Sequence, residues 1–179
     1  MTFEEYVAAR LAGLLRFAVV LTGDRELAQD VVQEVLARAQ ARWRSIVRLD
    51  LPDRYVRRMI VNEFISWRRR WGRVVPVGSV VDGHPVGLAG QPDAAAAHAE
   101  RDALMAELAR LPRRQQAVLV LRYYEGLSDV EIAEVLGCRP GTVRGYASRA
   151  LAMLRIELTV TGMRPAEPVL AQPPNGADR

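Results

Sequence analysis

The sequence predicts an all-α protein with two small helical modules joined by a flexible linker. Apolar residues recur every three or four positions over most of residues 3–71 and 93–155, as in amphipathic helices. Residues 74–92 are instead rich in Gly, Pro and Val, and no convincing strand pattern appears anywhere. We expect an N-terminal module over 1–73, a linker over 74–95, a C-terminal module over 96–160 and a disordered tail over 161–179.

Three helices are predicted in the N-terminal module. The first covers about residues 3–22, and its apolar face holds Phe3, Val7, Leu11, Leu14, Ala18 and Leu21. Thr22-Gly23-Asp24 ends this helix and caps the second, over about 25–43, whose face holds Leu27, Val31, Val35 and Arg38. Pro52 fits the first turn of a third helix, over about 53–71, with a buried stripe of Met59, Ile60, Phe64 and Trp67.

Composition limits the classes of function. All 25 basic residues are Arg, and the net charge is +4. Cys138 is a lone cysteine, and His84 and His98 lie in or beside the linker, so we expect neither a disulfide framework nor a metal site. No Ser/His/Asp set or Gly-rich phosphate loop is present, which argues against an enzyme and against a cofactor.

The first residues, MTFEEYVAAR, are acidic and amphipathic and do not have the pattern of a signal peptide. No stretch approaches the roughly 18 apolar residues of a membrane span. We therefore expect a cytoplasmic protein without membrane insertion.

A helix-turn-helix is predicted over about residues 127–155. Ser128 and Glu131 form a capping box, and Gly137 suits the left-handed turn after the first helix. The buried face of that helix would hold Val130 or Ile132, together with Ala133 and Leu136. In this arrangement the second helix enters the major groove of DNA. Cys138 is expected to be a half-buried turn residue, with a redox thiol as the alternative.

The charge of this region supports DNA binding. Residues 139–155 contain Arg139, Arg144, Arg149 and Arg155 and no acid. Arginines suit phosphate and guanine, and Ser148 can share an exposed face with Arg144 and Arg149. The alternative is a helix with solvated arginines in a protein that does not bind DNA.

The third helix carries seven arginines between positions 54 and 73, against one acid, Glu63, with aromatic residues interleaved. Basic groups follow a phosphate backbone and aromatic rings stack on unpaired bases, so this pattern favours opened or single-stranded nucleic acid. A solvated helix with core tryptophans is the alternative. Asn62 could satisfy a core hydrogen bond or contact a base edge, and its spacing does not decide.

Asp30, Gln33 and Glu34 share one flank of the second helix, at i, i+3 and i+4. An acidic patch in a protein with two basic elements suits a basic protein surface better than DNA. From the residues alone, however, an ordinary solvated face is the simpler interpretation.

These features, in this order, resemble the extracytoplasmic-function sigma factors of RNA polymerase, which belong to the sigma-70 family. The resemblance covers about residues 3–71 and 98–157 and lies in the motifs LTGDRELAQDVVQEVL, YVRRMIVNEFISWRRR and LPRRQQAVLVLRYYEGLSDVEIAEVLGCRPGTVRGYASRALAMLR. The opening FEEYVAARLAGLLRFAVVLTGD is similar to the actinobacterial sigma-E-type subfamily. The two modules would then be sigma regions 2 and 4.

The resemblance implies roles that the residues alone leave open. The core-polymerase site, on the β′ clamp helices, would be met by Asp30, Gln33 and Glu34. The −10 promoter DNA would be bound by Tyr55, Arg57, Arg58, Asn62, Arg68 and Arg69, with the loop over about residues 45–52 helping to form a pocket for a flipped base. The −35 DNA would be bound by Arg122, Arg139, Thr142, Arg144, Ser148 and Arg149. The β flap of polymerase and an anti-sigma factor are further implied partners. Control would come from covering these surfaces, either by an anti-sigma factor or by packing of the two modules together, and the sequence does not show which.

Three positions depart from the family pattern. Tyr55 replaces a frequent Trp, and Gly145 and Tyr146 replace the commoner Ser and Arg after GTVR. The last two leave the −35 sequence preference open. A stand-alone helix-turn-helix regulator of duplex DNA is the alternative function. It would usually carry a dimerisation element, and the sequence shows no heptad seam or obvious dimer face.

Overall fold

A computed structural model describes residues 1–71 and 103–160, and the side chains of residues 1–66 and 103–155. Every regular element in these ranges is helical, which confirms the predicted all-α class. The N-terminal module contains α1 (Phe3–Thr22), α2 (Arg25–Ala41), α3 (Trp43–Ile46) and α4 (Pro52–Trp71). The C-terminal module contains α5 (residues 103–110), α6 (Arg113–Leu119) with a π turn over Val120–Tyr124, α7 (Asp129–Leu136) and α8 (Pro140–Val160). The predicted linker, residues 93–102 and the predicted tail lie outside the described residues.

Caps set the boundaries of α1 and α2, and those at Gly23 and Asp24 were predicted. The Thr2 side chain accepts from the Glu5 backbone in a capping box at the start of α1. Gly23 ends α1 with φ of +72°, and Asp24 caps α2 by accepting from the Leu27 backbone N–H. A Cβ on Gly23 would also lie 2.9 Å from the Cβ of Ala109 in α5, so this turn favours glycine on two grounds.

The core of the N-terminal module lies among α1, α2 and α4, on a face slightly rotated from the predicted one. Leu14, Ala18 and Leu21 are buried as expected, but Leu11 is 37% exposed and Tyr6 and Phe17 are buried instead. One contact of this face comes from just beyond α2, which stops at Ala41 rather than near 43. Trp43 turns inward and packs on Tyr6, with the ring centroids 4.8 Å apart.

The C-terminal helix-turn-helix has the predicted local chemistry. Ser128 and Glu131 form the capping box of α7, and Gly137 is left-handed with φ of +61°. Ile132 rather than Val130 faces the core, because Val130 is 58% exposed. The buried residues of the unit are Ile132, Ala133, Val135, Leu136, Val143, Ala147, Ala150 and Leu154. Cys138 is half-buried in the turn.

The two modules pack against each other, which is one of the two arrangements that the sequence left open. Arg113 of α6 donates to the backbone carbonyl of Phe64 in α4, and its guanidinium lies 4.6 Å from the centre of the Phe64 ring. Phe17 of α1 meets Tyr124 with ring centroids 6.3 Å apart. Within the described ranges, no helix has the length and apolarity needed to cross a membrane.

Candidate nucleic-acid interface

The predicted docking residues project from α2 into solvent. Asp30, Gln33 and Glu34 are all exposed on one flank of this helix. Among the described residues, Asp30 and Gln33 have no hydrogen-bond or ion-pair partner, whereas Glu34 pairs with Arg38 at 3.3 Å. This flank of α2 is therefore an exposed polar and acidic surface.

The outer face of α4 carries several of the predicted DNA-contacting side chains. Tyr55, Arg58 and Asn62 are exposed along this helix. Because Asn62 is exposed, it does not satisfy a hydrogen bond in the core. The other alternative, contact with a base edge, stays a prediction. Arg68 and Arg69 lie on α4, but their side chains are outside the described residues.

Arg57 differs from its neighbours because acids surround it. Its Nε donates to Asp53 at 2.9 Å, its Nη1 donates to Glu125 of the C-terminal module at 2.6 Å, and its guanidinium lies 5.2 Å from the centre of the Phe17 ring. Burial alone would lower the pKa of Arg57, but the hydrogen bond to Asp53 and the charges of Glu125 and Asp53 raise it overall. Burial raises the pKa of Glu125, against the opposing effect of Arg57.

A second ion pair crosses between the modules. Arg54 of α4 donates to Glu131 of α7 at 3.0 Å, and Glu131 also accepts from the Ser128 backbone. These hydrogen bonds from Ser128, with the nearby Arg54, lower the pKa of Glu131. Glu131 therefore caps the first helix of the helix-turn-helix and contacts the arginine-rich helix.

A cleft of about 600 Å³ lies where the modules meet. Its lining includes Arg10, Arg54, Arg57 and Arg58 from the N-terminal module and Tyr124 and Glu125 from the C-terminal module. Asp50, Leu51 and Pro52, from the loop before α4, also line it. The C-terminal module thus lies over part of the surface to which the resemblance assigns −10 DNA.

The second helix of the helix-turn-helix presents an open basic face. Arg139, Thr142, Arg144, Ser148 and Arg149 are all exposed on α8 or at its start. Arg149 lies 5.4 Å from the centre of the Tyr146 ring. Tyr146, which departs from the family pattern, thus supports an arginine that the pattern assigns to DNA.

The comparisons with known proteins agree with this geometry. Residues 101–154 match the family model "Sigma-70, region 4". The chain is 40% identical over 159 residues to the RNA polymerase sigma-E factor of Streptomyces coelicolor, covering 88% of this chain and 86% of that protein. It is 35% identical over 162 residues to the ECF RNA polymerase sigma factor SigL of Mycobacterium tuberculosis, covering 89% of each. The chain belongs to the ECF RNA polymerase sigma factors.

A solved relative extends the likeness to three dimensions. The sigma factor RpoE of Bartonella quintana, in complex with the anti-sigma factor NepR, matches with a TM-score of 0.67 and 27% identity. The match covers 88% of this chain and 97% of that one. Together, the sequence and structural relatives support a sigma factor over a stand-alone regulator.

In this sigma factor, two predicted DNA contacts have neighbours that the sequence did not predict. Arg122, assigned to −35 DNA, is partly buried and pairs with Asp129, whose other oxygen lies 4.0 Å from Arg144. Arg57 belongs to a chain of polar contacts that begins at Tyr6, whose hydroxyl donates to Asp53 at 3.1 Å. Burial, followed by the charge of Asp53, raises the pKa of Tyr6. An acid at i−4 from Arg57 signals the local pair, but Glu125 is 68 positions away and gives no sequence signal.

Proposed function

We propose that this sigma factor docks on the β′ clamp helices of core RNA polymerase through α2 and then directs initiation at promoters with −10 and −35 elements. The exposed triplet of Asp30, Gln33 and Glu34 carries this proposal. Two members have no partner among the described residues, and acids so placed suit a basic protein surface rather than DNA. The resemblance assigns the same three residues to core binding.

The −10 element would be opened and bound at α4. Extruding a base costs a few kcal/mol, and an aromatic surface with nearby hydrogen-bond donors can offset that cost. Tyr55 is an exposed aromatic residue, and Arg58 and Asn62 are exposed on the same helix. Arg57 would join them once Glu125 releases it, and Arg68 and Arg69 continue the basic run in the sequence.

The −35 element would be bound as duplex DNA by α8. Arg144 and Arg149 are exposed arginines that can contact phosphate or guanine in the major groove. Thr142 and Ser148 add hydroxyl groups, and Arg139 begins the basic stretch. Arg122 would act from the edge of this face, because Asp129 holds its guanidinium.

In this proposal the chain has no catalytic role of its own and acts in the cytoplasm, where core polymerase works. The β flap is a further contact that the resemblance implies. An anti-sigma partner is also implied, and the B. quintana relative was solved with one. Such a partner would regulate initiation by covering these surfaces.

A matched pair of double variants tests the docking site. Asp30→Arg with Gln33→Ala should weaken binding to core polymerase at least 100-fold, because it reverses one of the two negative charges of the triplet. Glu26→Arg with Gln29→Ala makes the same changes one turn earlier on α2 and should alter core affinity less than threefold. Fluorescence anisotropy of the labelled chain with core polymerase would measure both, and circular dichroism would check folding. Equal core affinity for the two variants would contradict the assignment.

A further inference from the structure

Arg38 joins the docking helix to the −10 helix. The sequence placed it on the same face of α2 as Leu27, Val31 and Val35, and its side chain is 42% exposed. Its Nε lies 3.3 Å from both the backbone carbonyl oxygen and a carboxylate oxygen of Glu34, and its Nη2 pairs with Glu63 of α4. One guanidinium therefore contacts a docking residue and the helix assigned to −10 DNA.

Glu63 is an unusual residue for its position. Its side chain is only 4% exposed, and its neighbours Ile60, Val61 and Phe64 are buried apolar residues of the same helix. A carboxylate is costly to remove from water, and well-packed apolar residues often replace a buried ion pair at no loss of stability. Packing alone therefore does not account for an acid here.

The ion pair between Arg38 and Glu63 gives the packing of α4 against α2 a preferred orientation. Apolar contacts between α2 and α4 depend weakly on orientation, whereas a charge-assisted hydrogen bond fixes both distance and angle. Glu63 directly precedes the buried Phe64 and directly follows the exposed Asn62. Successive helical residues lie about 100° apart, so a rotation of α4 that breaks the pair also turns Asn62 away from its present direction.

We propose that Arg38 is a positioning residue that, through Glu63, fixes the orientation of the Asn62 face of α4 relative to the docking face of α2. This inference rests on the proposed function, because it gives the two faces their partners. Arg38 itself touches neither DNA nor polymerase in this role. It ensures that a sigma factor docked through α2 presents α4 to the promoter at one angle.

The test replaces the pair with apolar residues of similar length. Arg38→Met with Glu63→Met should leave the melting temperature equal to that of the wild type or higher, and core affinity within about threefold. Opening of a promoter that the wild-type holoenzyme transcribes, measured by permanganate reactivity of unpaired thymines, should fall at least tenfold. Arg42→Met removes an exposed arginine one turn further along and should change opening less than threefold.

Promoter opening by the double variant within threefold of the wild type would overturn the inference. So would unfolding of the double variant or its failure to bind core polymerase, since either would give the pair a purely structural role. Failure of the proposed function is a different result, because the wild-type holoenzyme itself would then open no promoter.

Discussion

The two helices that we assign to promoter DNA hold their charges differently. On α4, Arg54 and Arg57 pair with Glu131 and Glu125, both supplied by the other module. At the start of α8 and on it, Arg139 and Arg149 are exposed and have no ion-pair partner in the described part of the chain, and Arg144 approaches Asp129 only to 4.0 Å. The basic face for duplex DNA is thus available in the free protein, whereas part of the face for opened DNA is occupied by acids.

This difference matches the order in which the two DNA forms arise. Duplex DNA exists before polymerase acts, so an open −35 surface can engage it without preparation. Unpaired −10 bases exist only once the duplex opens, and Glu125 and Glu131 compete with phosphate for the same arginines until then.

The largest effect is expected on α8. Arg144→Ala with Arg149→Ala should weaken holoenzyme binding to a duplex that carries the −35 element about 100-fold, since each lost base contact costs about 1–3 kcal/mol. The slope of log K against log salt should also flatten if either arginine contacts phosphate. Arg16→Ala, an exposed arginine on α1, is the control. A loss below threefold in the double variant would remove α8 from the −35 interface.

A smaller effect, a gain in DNA affinity, is expected when the acids that pair with the arginines of α4 are neutralised. Glu125→Gln with Glu131→Gln should raise the affinity of the free chain for a single-stranded −10 oligonucleotide about three- to tenfold, because two competing charges are lost. Glutamine at position 131 can keep the capping box, so α7 should remain folded.

The control for this variant is Glu134→Gln, an exposed acid on α7. Anisotropy at several salt concentrations would measure all three proteins. The competition is refuted if Glu134→Gln raises the affinity as much as the double variant does.

The smallest expected effect is on how the melting temperature depends on pH. The folded protein lowers the pKa of Glu131 from 4.5, so its ionised form stabilises the fold above about pH 4.5 and that contribution is lost as pH falls through the lowered value. Glu131→Gln should therefore lower the melting temperature by about 1–3 °C at pH 7 and by less at acidic pH. Thermal melts across pH would measure the difference, and a difference independent of pH would contradict this assignment.

Local chemistry made much of the fold predictable. Asp24, Ser128 and Gly137 act within four residues of their own positions, so the sequence contains the whole signal for these caps and turns. The exposed docking triplet and the exposed α8 arginines also follow from helical spacing, which places them on one flank. The burial of Tyr6 and Phe17 was missed, because Tyr6 packs on Trp43 and Phe17 lies beside Arg57 and Tyr124, all of which are distant in sequence.

Contacts between distant positions were not predictable. Arg38 meets Glu63 across 25 positions, and Arg57 meets Glu125 across 68. Charge patterning identifies arginines and acids but does not select which of them pair, since that depends on how whole helices pack. The packing of the two modules against each other is the largest feature that the sequence left open for this reason.

Transcription in vitro tests the central claim most directly. Core polymerase with the wild-type chain should give promoter-specific run-off transcripts from a library of candidate promoters, and the Asp30→Arg, Gln33→Ala variant should give none. Absence of a specific transcript from any template, together with specific duplex binding by the free chain, would contradict the account and favour a stand-alone regulator.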